Sequence, residues 1–240
     1  MHIDIQFLPS FPDPDILSNR TVIVIDVLRA TSVIVQAMSQ GAMEIIPVAT
    51  VEEAFQMART FPQGSTLLGG EMGSRKIEGF DLGNSPREYV AEKVKGKRLI
   101  LTTTNGTKAF HLVASCQEIM VASFLNIGAT AQRCVELNQD LLIFPSGDEG
   151  RLSIEDTVCG GMLIDLILGE RKVTIDLTDA SQMARILYQR FEGKPVEAFY
   201  LSSHGKDLIA RGFEEDFTYC AQTNIAKIVP SFREGVIRAD

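Results

Sequence analysis

Runs of apolar, β-branched residues alternate along this chain with segments whose apolar positions recur every three to four residues. Thr21-Val22-Ile23-Val24-Ile25-Asp26 reads as a strand buried on both faces, followed by a helix over about 30–40 that stops at Gly41. Glu44 to Val48 predicts a second strand, with Pro47 marking an edge or a strand end, and 51–59 an amphipathic helix. The pattern restarts at 98–103 (strand), 107–114 (helix), 118–122 (strand) and 126–137 (helix), which suggests a weak internal duplication. A buried strand over 140–144 leads into a long helix over about 153–168, and beyond it the chain is mainly helical. Thr178 is the expected N-cap of a helix through Arg190. Ser203-His204-Gly205 reads as a break between helical stretches, and Val229-Pro230 as an extended return. The expected fold is therefore α/β, with strand-helix repeats forming a mainly parallel layered sheet. Residues 1–240 are expected to form one catalytic unit, with two similar α/β subdomains, the site in the crevice between them, and a helical C-terminal part.

Composition narrows the class. With 240 residues and 45% apolar content the chain can bury a large core, and no run of eighteen apolar residues suggests a membrane span. The first eight residues alternate like a strand and lack a basic leader, so a soluble, cytoplasmic protein is expected. Cys116, Cys134, Cys159 and Cys220 are widely spaced, which fits buried thiols and neither a zinc knuckle nor a disulfide framework. A net charge of −8 argues against nucleic acid as a partner. A small anionic phosphoester would need local cations or a metal; assembly into a homo-oligomer stays open.

Chemistry concentrates where strands run into helices, because helix N-termini present free N–H groups to anions there. In the first such turn Asp26 closes the strand while Arg29, Thr31 and Ser32 open the helix. Thr103, Thr104, Asn105 and Gly106 occupy the second, offering hydroxyls and amides. Ser146, Gly147, Asp148 and Glu149 form the third, with Glu155 and Asp156 placed as capping acids in the helix beyond. The segment 69–86 reads as one long glycine-rich loop able to hold an anion and a metal: Glu71 supplies a hard carboxylate, Arg75 and Lys76 charge, and Asn84 and Ser85 polar donors. Asp26, Glu71, Asp148 and Glu149 are the expected Mg²⁺ ligands. Asp26, Arg29, Glu71 and Asn105 are the expected catalytic groups, and the remaining turn residues bind substrate. His204 reads as a proton donor or, as is commoner for a single His after a helix, a cap or a structural histidine. The P-loop pattern fails around Lys76, and no dinucleotide fingerprint follows a strand.

Taken together, 24–32, 79–86, Thr102 to Thr107 and Ser146-Gly147 resemble the 2-phosphosulfolactate phosphatase family, and Gly212, Asp216 and Pro230 follow His204 in the order expected of its tail. The resemblance implies an α/β fold of its own kind and a Mg²⁺-dependent hydrolase that converts 2-phospho-3-sulfolactate to 3-sulfolactate and phosphate, a step toward sulfonated metabolites including coenzyme M. The chain departs from that pattern at Met72, where the family tends to carry Arg. Two other readings remain. One is a haloacid-dehalogenase-like phosphatase with Asp26 as nucleophile, although Leu28 stands where its second Asp belongs. The other is a non-catalytic anion-binding protein.

Overall fold

The computed structural model describes residues 1–12, 17, 20–170 and 174–239. Its elements in chain order are β1 (His2–Ile5), β2 (Arg20–Ile25), α1 (Ala30–Ser39), β3 (Glu44–Pro47), α2 (Val51–Ala58), β4 (Thr66–Met72), β5 (Arg75–Lys76), α3 (Ala91–Val94), β6 (Arg98–Thr102) and α4 (Gly106–Val113). They continue with β7 (Glu118–Ala122), α5 (Ile127–Leu137), β8 (Asp140–Pro145), α6 (Ile154–Gly169), β9 (Asp176–Leu177) and α7 (Asp179–Arg190). The chain ends in α8 (Pro195–Leu201), α9 (Ser203–Ala210), α10 (Glu215–Cys220), β10 (Ser231–Arg233) and β11 (Val236–Arg238).

One sheet runs in the order β5-β4-β6-β3-β11-β10-β7-β2-β8-β1-β9. Two parallel groups make it up, β4-β6-β3 and β7-β2-β8-β1-β9, and the antiparallel hairpin β10–β11 sews them together. The two predicted sequence copies do not map onto these groups: β2 and β7 fall in one, β3 and β6 in the other. The seam also carries charge, since the buried carboxylate of Glu44 accepts from Arg98 in the neighbouring strand β6 and from Arg238 in the neighbouring strand β11.

Alternation along β2 shows why its sequence is apolar throughout. Ile23 and Ile25 face a core filled by α5 to α10, including Val158, Leu163, Ala184, Phe199 and Phe217. Val22 and Val24 face a second core with Val33 and Ile34 of α1 and Phe110 of α4. A parallel strand covered on both sides has no solvent face on which to place polar residues.

Two expectations need correction. The segment 69–86 is not one loop: Gly69 to Met72 belong to β4, a tight turn leads into β5, and only residues 77–85, ahead of a 3₁₀ turn at Pro86–Glu88, remain irregular. Gly69 and Gly70 serve packing, whereas Gly73 serves the turn at φ +58°. Gly70 has φ +135°, and a Cβ there would fall 1.8 Å from the carbonyl oxygen of Thr102, so glycine lets β4 lie against β6. Likewise Ser203 to Gly205 do not break a helix; they open α9, with the Ser202 hydroxyl accepting from the Gly205 N–H. Of the four free thiols, Cys134, Cys159 and Cys220 are buried as expected, and Cys116 is only partly so. Among the described residues no helix is long and apolar enough to cross a membrane.

Candidate active site

The turns that end β2, β4, β6 and β8 converge on one small cavity of about 60 Å³. Its lining includes Asp26, Arg29, Glu71, Asn84, Thr103, Thr104, Asn105, Asp148 and Glu149. The two parallel groups run in opposite senses along the ladder, yet their carboxyl ends meet here. Twist of roughly 20–25° per strand, accumulated between β6 and β2, turns those ends toward each other. The contact is direct: the Glu149 N–H donates to Asn105 Oδ1 at 3.2 Å, tying the β8 turn to the β6 turn. A Cβ on Gly106 would sit 2.7 Å from Asp26 Oδ2 and 2.4 Å from the Ala30 Cβ, so only glycine lets the start of α4 approach Asp26 this closely.

Asp26 is 6% exposed. Its backbone is locked by Thr31, whose hydroxyl donates to the Asp26 carbonyl (2.8 Å) and accepts from the Asp26 N–H (2.9 Å). The Ala30 N–H donates to Asp26 Oδ1 at 3.1 Å. Burial pushes its carboxyl above the usual range, with nearby Glu71 adding to the shift, while His204 and the hydrogen bonds from Ala30 and Ser146 oppose it. Glu71 is held by three donors: the Thr104 N–H on Oε1 (2.7 Å), and the Ser74 N–H (2.6 Å) and Thr104 hydroxyl (3.1 Å) on Oε2.

Arg29 is buried beside the cavity. It donates to Asp216 Oδ2 at 2.8 Å and to the Ser74 carbonyl at 3.2 Å, and lies 4.2 Å over the Phe213 ring. The Ser85 hydroxyl donates to the other oxygen of Asp216 at 2.5 Å, so Ser85 acts on Arg29 only through that carboxylate.

The other predicted site residues fall in four places. Thr31 and Ser32 turn inward to backbone carbonyls of Asp26 and Val27 and do not line the cavity. Ser146 lies behind Asp26, 3.4 Å from Asp156 Oδ2, while Gly147 turns the chain with φ +66° beside Pro9. Arg75 and Lys76 are exposed and line a neighbouring cavity with Met72, which is 69% exposed. The carboxylate of Glu149 pairs with Arg151 in solvent, at 3.2 Å, leaving its backbone at the rim.

Beyond His204, sequence reasoning missed the wall formed by α9 and the residue that caps its C-terminus. His204, Asp207, Leu208 and Arg211 all line the cavity. His204 Nε2 lies 2.6 Å from the Leu28 carbonyl and Nδ1 3.4 Å from Asp148 Oδ1, so both ring nitrogens face groups that only accept. Burial alone would lower its pKa, but the bond to Asp148 and the charges of Glu155, Asp26 and Asp148 outweigh this and hold it up at about 9. The histidine is thus a cation at neutral pH, and it in turn pulls the Asp148 carboxyl down. Arg211 donates to the Gly73 carbonyl at 3.1 Å across the cavity. Behind Asp26 lie two more buried acids. Asp156 accepts from the Val27 N–H at 2.8 Å, and burial together with Asp26 and Glu155 raises its pKa well above the usual carboxylate range. Burial raises Glu155 as well, and its Oε2 has no partner among the described residues. The signal these acids carry in the sequence is their place in the first turn of α6, just after its Ser153 N-cap.

Carboxylates outnumber cations around the cavity, so an anionic guest calls for an added positive charge. Among the described residues no three His, Cys, Asp or Glu side chains are placed to close on an ion unaided. Mg²⁺ does not require that: it commonly takes one or two carboxylates and completes its shell with water and substrate oxygens. Asp26 and Glu71 provide two carboxylates on one cavity, which Asn84 also lines, and the buried Asn84 Oδ1 has no partner among the described residues. This donor set is all oxygen, which suits a hard cation.

A family model described as 2-phosphosulpholactate phosphatase matches residues 8–235. A protein of Symbiobacterium thermophilum named "Probable 2-phosphosulfolactate phosphatase" is 38% identical over 228 residues, spanning 95% of this chain and 97% of its own. Proteins of the same name from Clostridium acetobutylicum and Caldanaerobacter subterraneus subsp. tengcongensis are 41% and 40% identical, each over 92% of this chain and 93% and 91% of their own. The chain belongs to the 2-phosphosulfolactate phosphatase family, and with it to the phosphoric monoester hydrolases.

Proposed function

We propose that the protein hydrolyses 2-phospho-3-sulfolactate to 3-sulfolactate and phosphate in a Mg²⁺-dependent reaction. The observation that carries the reading is that a chain matched to this family from residue 8 to 235 brings Asp26, Glu71 and Arg29 to one cavity. Asp26 and Glu71, with Asn84 Oδ1 beside them, are the groups that would hold the ion. Bound there, Mg²⁺ supplies the Lewis-acid charge that polarises a phosphoryl group.

The chain's own residues do the rest. Phosphoryl transfer leaves charge on the equatorial oxygens and the departing alkoxide, so catalysis is mainly positioning and electrostatics. Arg29, fixed on Asp216 and Phe213, presents its guanidinium to the phosphoryl oxygens, and the α4 N-terminus at Gly106 adds its dipole. Asp26, oriented by the Ala30 N–H on Oδ1 and by the Thr31 backbone lock, is the carboxylate placed to accept a proton from the attacking water. His204 supplies positive charge on the wall, and its Nδ1–H, only loosely held by Asp148 at 3.4 Å, is the proton for the leaving alkoxide. Direct attack by water is favoured over a phospho-aspartate because position 28 is Leu and gives the site only its backbone carbonyl.

Phosphate release from 2-phosphosulfolactate in the presence of Mg²⁺, abolished by chelation and by Asp26→Asn, is the expected result. Tight binding of the compound without phosphate release would point instead to an anion-binding protein. Phospho-Asp26 trapped by acid quench would restore the covalent mechanism.

A further inference from the structure

A second, larger cavity of about 640 Å³ adjoins the catalytic one, and Glu71, Thr103 and Thr104 line both. The catalytic cavity, at about 60 Å³, has room for roughly four to six water-sized spheres. That is enough for a phosphoryl group and little more; a substrate carrying phosphate, carboxylate and sulfonate must extend beyond it. The larger space offers the continuation. Its lining includes Arg75 on β5, Lys76 beside it and Lys108 in the first turn of α4. Lys76 Nζ is engaged by the Asp81 carbonyl at 3.2 Å, whereas Arg75 and Lys108 have no hydrogen-bond or ion-pair partner among the described residues. Unpaired cations in a cavity open to the catalytic centre contrast with Arg29, whose charge is already matched by Asp216. The opposite side is the start of α2, where the Val51 and Glu52 N–H groups lie in the first turn and lack intrahelical partners. Glu52 and Glu78 also border the space, so the anion's place is toward Arg75, Lys108 and the Thr103–Thr104 sill.

We propose that this larger cavity is the subsite for the substrate's sulfonate, with Arg75 and Lys108 as its cations and Thr103 and Thr104 as the sill across which the carbon chain passes. The inference rests on the phosphatase reading and adds to it the source of substrate discrimination. Neither cation lines the smaller cavity, so both act on binding and specificity. The Met72 side chain shares the cavity and gives the carbon skeleton an apolar surface.

Initial rates on 2-phosphosulfolactate and on phospholactate, which lacks the sulfonate, test the idea with wild type, Arg75→Ala, Lys108→Ala and the double variant. Wild type should prefer the sulfonate. Each single change should cost about tenfold in kcat/KM on 2-phosphosulfolactate, mostly through KM, since a charged hydrogen bond is lost. The double variant should lose about a hundredfold. Phospholactate turnover should stay within about twofold throughout, which also shows that the variants fold. Equal losses on both substrates, no loss on either, or a wild type that does not discriminate would overturn the subsite while leaving the phosphatase intact. A wild type inert toward both would sink the phosphatase reading itself.

Discussion

The turns that follow β2, β4, β6 and β8 bring carboxylates and amides to the cavity, whereas α9 and α10 bring cations and the groups that hold them. Asp26 and Glu71 sit on the first wall, held by backbone N–H donors. His204 and Arg211 sit on the second, and Asp216 of α10 fixes the one arginine that the first wall owns. The base for water therefore comes from one part of the chain, and the proton donor and the carboxylate that orients Arg29 come from another. Changes on the sheet wall should strike activation of water and binding of the phosphoryl group, and changes on the helical wall should strike protonation of the leaving group and charge balance.

The largest expected effect is at Asp26. Asp26→Asn keeps the Thr31 backbone lock and should lower kcat by about 10³ with little change in KM, as expected for a lost general base. A variant within tenfold of wild type in steady-state kinetics would mean that the sheet wall does not carry the chemistry. Asp216→Ala comes next. It strands the Arg29 guanidinium in a site where both partners are almost wholly buried, so urea denaturation should show a loss of about 3 kcal/mol, and kcat should fall as Arg29 loses its orientation. A loss under about 1 kcal/mol would mean that Phe213 and the Ser74 carbonyl place Arg29 without help.

His204 gives a pH test with a definite sign. Its folded value of about 9 lies above the ordinary 6.5, so the stabilisation from its charge is whole below 6.5 and vanishes as pH rises through about 9. Activity should fall along an alkaline limb near that value. His204→Gln should lose the limb and about tenfold in rate at neutral pH; an unchanged limb would assign it to another group. The smallest effect belongs to Glu44, which lies in neither wall. Burial would raise its pKa, but Arg98 and Arg238 hold it below the ordinary 4.5, so its contribution is present above that value and lost as pH falls below it. Glu44→Gln should cost about 1–2 kcal/mol in thermal melts and leave kcat/KM unchanged; altered kinetics would show that the hairpin seam reaches the site.

Much of the sheet wall is legible in the linear sequence. Asp26, Thr103 to Asn105 and Asp148 each sit where an apolar run ends and a helix begins, a local signal that holds because parallel strands present their carboxyl ends to ligands. The helical wall is not legible in that way. His204 resembles a capping residue because its partners, Leu28 and Asp148, lie 176 and 56 positions away, and nothing in its neighbourhood announces them. Glu155 and Asp156 are readable as first-turn acids of α6, yet their burial behind Asp26 follows from how α6 packs on the sheet. The glycines of 69–73 mislead in the other direction. Gly69 and Gly70 could signal a ligand cradle or a close strand contact, and only the position of Thr102 beside Gly70 decides for the second.

The order of hydrophobic runs is enough to specify that this chain forms strand-helix units, where most of them start and stop, and which turns carry reactive side chains. Those properties depend on neighbours a few residues apart. Packing of the complete chain was needed to settle that a C-terminal hairpin joins two parallel strand groups of opposite sense, that their carboxyl ends meet, and that α9 closes the remaining side. Twist accumulated over many strands and contacts between distant segments set those outcomes, and neither leaves a periodic trace in a linear sequence.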